Sequence, residues 1–209
     1  MRKFNLVILA SLYILVSTSI SAQANLVSNG DFETLGTPNV NWVSNFPSWS
    51  VTDVSNATGI YTGQYLGLGT HSGVGFLWGG AYNGFYGSIS QTLVTTPGQN
   101  YNLDFWLANT NGGLAANNYW SVQWNNTILY TASNVSDFAY TEKYEVVTGT
   151  GSDTLTFVFN NEPGAFGLDD ISVERTTTAA VPIPPTILLL CSGIAGVALY
   201  RKKYNPYAG

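Results

Sequence analysis

Apolar and polar residues alternate in short runs along most of this chain, and the runs are separated by Gly, Asn and Pro. The clearest is Tyr101-Asn-Leu-Asp-Phe-Trp-Leu-Ala, where Tyr101, Leu103, Phe105 and Leu107 share one face of an extended strand because successive side chains point to opposite sides. Leu155, Phe157 and Phe159 repeat that pattern. The alternation predicts strands near 26–33, 49–54, 64–68, 86–94, 101–108, 120–124, 128–131, 144–147, 154–160 and 166–173. Asn125-Asn126, between two of these runs, predicts a tight hairpin turn. No long stretch of this region has a helical period. About ten short strands at this spacing predict an all-β jelly roll, two antiparallel sheets packed face to face.

Both ends of the chain break the alternation. Arg2-Lys3, an apolar run over 4–16 and the small-residue site Ala22-Gln23-Ala24 predict a cleavable export signal over residues 1–24. At the other end, residues 187–200 form an apolar run that stops at Arg201-Lys202-Lys203. Those 14 residues would span about 21 Å as a helix. A bilayer core is about 30 Å thick. Counting from Val181 gives 20 residues, since prolines are accepted in a first helical turn. The basic stop sits where a cytoplasmic end is expected. The predicted layout is thus a signal over 1–24, one β-domain over 25–176, a linker over 177–186, a membrane helix with its stop over 187–203, and a short tail over 204–209.

Charge sharpens the picture of the middle. All twelve Asp and Glu lie between Asp31 and Glu174, against Lys143 and Arg175, a surplus of ten negative charges. Such a field repels phosphate backbones and excludes nucleic acid as a partner. The single Cys, Cys191, falls in the apolar tail, so the β-domain has no disulfide framework.

The order Val181-Pro182-Ile183-Pro184, apolar helix and Arg201-Lys202-Lys203 resembles the PEP-CTERM sorting signals of Gram-negative bacteria. Ile183 stands where the name-giving Glu would be, so the tail is similar to the Val-Pro-Leu-Pro variants. The resemblance implies an exosortase-type membrane transpeptidase as partner, a transient stay in the inner membrane, and sorting to the cell surface or extracellular matrix. Asn25-Leu-Val-Ser-Asn-Gly-Asp-Phe-Glu33, the Gly87–Gly98 and Tyr101–Ala108 stretches and Gly167-Leu-Asp-Asp-Ile-Ser-Val173 resemble, in that order, galactose-binding-like and carbohydrate-binding jelly rolls. That likeness implies extracellular polysaccharide as ligand. It also implies a structural calcium shared by Asp31 or Glu33 with Asp169 or Asp170. Calcium takes six to eight oxygens, so two carboxylates with carbonyls and water suffice. In a regular strand one of Asp169 and Asp170 would point inward and need a cation or a ring of N–H donors. The alternative is that these acids cap turns and accept backbone hydrogen bonds.

Aromatic residues are the second candidate group. Phe76-Leu-Trp78-Gly-Gly-Ala-Tyr82-Asn-Gly-Phe85-Tyr86 is rich in rings and Gly and reads as a loop. Flat rings stack on sugar faces while nearby polar groups hydrogen-bond hydroxyls, so Trp78, Tyr82 and Tyr86 are the candidate sugar platform. Trp49, Trp106 and Trp124 lie in strand patterns and read as core. Catalysis has little to draw on: His71 is the only His and reads as a loop residue, and no nucleophile elbow or metal-binding His pair is present. The sequence therefore reads first as an exported non-catalytic polysaccharide binder. A structural or adhesive matrix protein without a sugar site is the second reading, and a glycan hydrolase the third.

Overall fold

The computed structural model describes residues 24–36, 42–114, 116–176, and Gly193, Ile194 and Val197. The chain divides into a unit over Met1–Thr176 and a second over Thr177–Gly209. Gly193, Ile194 and Val197 of the second unit are helical. Among the described residues no helix is long and apolar enough to cross a membrane. The predicted export signal before Ala24, the motif Val181–Pro184 and the basic stop Arg201–Lys203 lie outside the described residues.

Eleven strands form the first unit: β1 (Trp42–Val43), β2 (Ser50–Thr52), β3 (Thr58–Thr62), β4 (Gly75–Gly79), β5 (Gly87–Val94), β6 (Asn100–Thr110), β7 (Asn118–Trp124), β8 (Thr127–Ser133), β9 (Phe138–Thr148), β10 (Ser152–Asn161) and β11 (Ala165–Arg175). They make a six-stranded sheet in the order β1-β3-β4-β11-β6-β9 and a five-stranded sheet in the order β2-β5-β10-β7-β8. Every strand pair is antiparallel. This is the all-β jelly-roll sandwich that the alternation predicts.

Period-two patterning places the core. Tyr101, Leu103, Phe105 and Leu107 of β6 are buried, as are Leu155, Phe157 and Phe159 of β10 on the opposite sheet. The rings meet across the gap: Phe105 and Phe157 lie 5.1 Å apart edge to face, and Trp49 reaches Phe157 at 6.4 Å. Edge-to-face pairs set the positive ring edge against the negative face, worth about 1 kcal/mol beyond area burial. Asn125 and Asn126 turn β7 into β8 with φ of 50° and 64°, the left-handed pair a two-residue hairpin requires. One end of the sandwich is tied by Asp153, which accepts hydrogen bonds from the Thr95 and Thr150 hydroxyls, the Thr150 N–H and the Asn125 amide.

Three expectations fail, each for a local reason. Residues 26–33 are not a strand, because Asn29 and Phe32 adopt φ of 54° and 53°. They still border β11, through Leu26 N–H to the Val173 carbonyl and Ile171 N–H to the Gly30 carbonyl. A Cβ at Gly30 would lie 2.2 Å from the Ile171 oxygen, so no other residue allows that approach. Residues 64–68 are a tight turn instead of a strand: Tyr65 and Leu68 exchange both backbone hydrogen bonds around Leu66 (φ 49°) and Gly67 (φ 85°). The Trp78 segment, read as loop, is β4, where all five residues are buried.

The turn at 65–68 belongs to a connection over residues 63–74 that folds back across the outer face of the six-stranded sheet. Leu68 buries itself there against Phe76, Trp78, Ala108 and Ala165. We call this connection the strap.

Candidate functional site

The strap and the β2–β3 turn enclose a hollow of about 260 Å³ at one end of the six-stranded sheet. Tyr61, Tyr65, Trp78 and Tyr82 line it with Asn56 and Ala57. Each ring arrives from a different piece of chain. Tyr61 and Trp78 stand on the outward faces of β3 and β4, while Tyr65 comes from the strap and Tyr82 from the turn after β4. The rings touch one another: Tyr61–Trp78 at 6.2 Å, Tyr61–Tyr65 at 5.7 Å and Tyr65–Trp78 at 5.3 Å. Trp78 is 4% exposed, whereas Tyr65 is 50% exposed. Trp78 is therefore the floor and Tyr65 the open wall.

Asp53 shapes the opposite wall. Its Oδ1 accepts the Ser55 N–H and hydroxyl, and its Oδ2 accepts the Ala57 N–H, which closes the turn bearing Asn56. The Ser55 hydroxyl in turn receives the Tyr82 N–H. Burial raises the Tyr82 hydroxyl above its ordinary value, and the neighbouring Tyr65, Asp53 and Glu162 add to that. Tyr82 thus stays a neutral hydroxyl in a field of negative sign. The Trp78 indole brings an N–H group to the floor. Gly80 lies against that nitrogen, where a Cβ would come within 3.3 Å.

Of the platform residues read from the sequence, the structure brings Trp78 and Tyr82 together and separates Tyr86. Tyr86 is 56% exposed and meets Tyr119 edge to face at 5.3 Å. Sequence reasoning missed Tyr61, Tyr65 and Asn56. The turn residues Gly63 and Gly67 around Tyr65 were the available signal.

The candidate calcium acids have other employment. Glu33 Oε1 accepts the N–H groups of Val74 and Gly75, and Asp31 accepts the Glu33 N–H at a long 3.4 Å. Asp169 Oδ2 accepts the N–H groups of His71 and Ser72, and its Oδ1 accepts that of Asp170. Asp170 receives the Ser72 hydroxyl at 2.8 Å and faces His71 Nδ1 at 2.6 Å. The expected alternation of Asp169 and Asp170 does not occur, because β11 has a bulge between Asp169 and Ser172 and Asp170 takes φ of 48°. Both carboxylates consequently serve the strap. Among the described residues no three of His, Cys, Asp and Glu gather where they could share an ion. The residues present fit the backbone-acceptor role.

His71 is more than a loop residue. Its ring stacks on Trp106 at 3.9 Å and 15°, so Trp106 is a half-buried residue of the outer face and not core. Ser72, His71 and Asp170 converge without forming a nucleophile. The Ser72 hydroxyl donates to Asp170 Oδ1 while His71 Nδ1 faces Asp170 Oδ2, so the imidazole is spent on the carboxylate and not on the hydroxyl. Burial pushes the Asp169 carboxyl up to about 7, with Asp170 adding to it and the three N–H bonds offsetting only part.

No protein-family model matches the chain, and no curated protein matches it. Solved structures do. The TmCBM61 module in complex with β-1,4-galactotriose is 18% identical, covering 73% of this chain and 99% of that one with a TM-score of 0.50. This is the jelly-roll fold of a carbohydrate-binding module. A xylan-binding CBM22 domain of Paenibacillus barcinonensis Xyn10C is 13% identical over 63% of this chain and 88% of that one, with a TM-score of 0.45. A CBM4 structure is 16% identical over 72% of this chain and 99% of that one, at a TM-score of 0.42. At 18% identity the TmCBM61 likeness shows the fold alone.

Proposed function

We propose that this protein is a non-catalytic carbohydrate-binding protein that holds an extracellular polysaccharide in the Tyr61–Tyr65–Trp78–Tyr82 hollow. The observation that carries the reading is the hollow itself: four rings, Tyr61, Tyr65, Trp78 and Tyr82, around an open space. Rings offer apolar planes to the C–H faces of a pyranose, and the Trp78 N–H, the Tyr82 hydroxyl and the Asn56 amide are placed for its hydroxyls. The galactotriose bound by the module of the same fold makes β-1,4-galactan the first glycan to test. The sequence supports the rest of the reading. Residues 1–24 export the chain, the segment over 187–203 tethers it, and an exosortase-type enzyme acts near Val181–Pro184 to send it to the cell surface or matrix.

The test is binding of the full-length protein to a glycan array and to soluble β-1,4-galactan. Tyr65→Ala removes an exposed wall ring without opening the core, and is expected to weaken binding at least about tenfold, the effect of losing a stacked aromatic contact. Trp78→Phe keeps the floor and deletes the N–H, and should weaken it less. A Tyr65→Ala protein that binds every glycan as wild type does would overturn the site. Release of reducing ends from a bound glycan would overturn its non-catalytic character. Intact mass of protein recovered from the cell surface tests the sorting: an end near residues 182–185 supports cleavage, and an end at Gly209 opposes it.

A further inference from the structure

We propose that the turn at residues 65–68 is a saddle over which a glycan chain passes, and that the groove on its far side is a second subsite for the chain's hydroxyl groups. The inference rests on the aromatic hollow being a sugar site. It extends that site from one stacking position to a cleft for several units of a linear, uncharged polymer.

The strap has hollows on both flanks, and their chemistry differs. On one flank lie the four rings. On the other is a groove of about 550 Å³ between the strap and the β6 and β9 strands. Its polar groups have capacity to spare. The Gln64 amide has no partner among the described residues. Asp137 spends Oδ1 on the Asn111 N–H and side-chain amide, which leaves Oδ2 for another donor. The Thr70 hydroxyl makes one long contact of 3.4 Å to the Gly73 carbonyl. A carboxylate oxygen, a primary amide and a hydroxyl along one groove match the donor and acceptor pairs of adjacent sugar hydroxyls. Neither flank has Lys or Arg in its lining, which disfavours uronates and sulfated chains.

The saddle joins the two halves. Gln64 lines the groove and its neighbour Tyr65 lines the hollow, so consecutive residues face opposite flanks. The two arms of a paired turn stand about 4.8 Å apart, narrow enough for one chain to reach both sides. At the top sits Gly67, where an added Cβ would meet nothing within 4 Å, so the crest is open and low. The saddle is also fixed in place. Tyr65 and Leu68 are cross-bonded, the Thr110 hydroxyl donates to the Leu66 carbonyl, and the Tyr140 hydroxyl donates to the Gly69 carbonyl. A ligand therefore meets a formed ridge and need not order one, which lowers the cost of binding.

The test is calorimetric titration of the full-length protein with β-1,4-galactobiose and β-1,4-galactohexaose, together with hydrogen exchange of the strap and of residues 137–140. The hexaose is expected to bind at least about tenfold more tightly than the biose. Gln64→Ala combined with Asp137→Asn should bring the hexaose down to the biose level. Hydrogen exchange gives a second readout that needs no variant: hexaose, and not biose, should protect residues 137–140. Equal affinity for both lengths, or a length increment that survives in the double variant with residues 137–140 unprotected, overturns the second subsite and leaves the aromatic hollow standing. Failure of the wild type to bind either length overturns the hollow and the saddle together.

Discussion

Asp153 at the start of β10 and Asp169 at the bulge of β11 are both wholly enclosed, yet their surroundings drive them apart. Burial alone would push both carboxyls up. At Asp153 hydrogen bonds from Thr95, Thr150 and Asn125 outweigh burial and hold the carboxyl down at about 2. At Asp169 the donors are three backbone N–H groups and Asp170 adds a like charge, so burial prevails and the carboxyl rises to about 7. Side-chain hydroxyls and amides can turn to meet a carboxylate, whereas backbone donors stay where the strap puts them. The first aspartate is a tie that works when charged. The second is a hinge post whose charge is a cost.

The comparison can be broken most directly at Asp153. Asp153→Ala leaves the Thr95, Thr150 and Asn125 donors without their acceptor and should cost about 5 kcal/mol in urea unfolding. A cost below about 1 kcal/mol would show that the knot is decoration.

The second effect is a pH slope. Asp169 keeps its proton in the folded protein at pH values where the unfolded chain has released it, so folding stability falls as pH rises from about 4 to 7. The full shift corresponds to at most about 4 kcal/mol. Asp169→Asn should remove the slope, and at pH 8 the variant should be at least as stable as wild type. Thermal melts across pH 4–8 that are parallel for the two proteins would refute the contrast.

Asp153 gives the opposite limb. Its folded carboxyl lies below the unfolded one, so its contribution is present above about pH 4 and is lost as pH falls toward 2. That limb amounts to about 2 kcal/mol and should vanish in Asp153→Asn. The smallest expected effect is that of a chelator. Glu33 Oε1, Asp169 Oδ2 and both Asp170 oxygens already serve the strap and its flank, so the melting midpoint should not move when calcium is removed. A drop would place an ion among these acids after all.

How much of this could be read beforehand depends on which face of a sheet is considered. The inner faces were legible because one rule governs them: β6 and β10 alternate without interruption, and their buried residues follow from counting by two. The same rule, applied strictly, puts Trp106 opposite Phe105 and so outside the core, where the structure has it. The outer face was not legible, because a connection with no period covers it. Nothing in Gly63 to Val74 announces that Leu68 is buried or that His71 stacks on a Trp. The bulge at Asp170 was hidden as well, since Asp-Asp-Ile reads as ordinary strand until its φ is known. Trp78 and Tyr82 do line one hollow, but a loop was expected for both, and Trp78 is strand and nearly closed off.

The strap divides its tasks between two sets of residues. Glu33 and Asp169, both outside it, hold it by backbone groups that any sequence would supply, Asp170 holds it by the Ser72 and His71 side chains, and Leu68 is its one buried plug. Gln64, Tyr65 and Leu66 carry none of that duty. Substitutions at these three positions can therefore accumulate without endangering the sandwich, and each would present a different surface to the same cleft. A lineage built on this frame can change what it recognises by editing one turn, which makes the strap a place to look for variation among related chains and a place to begin redesign.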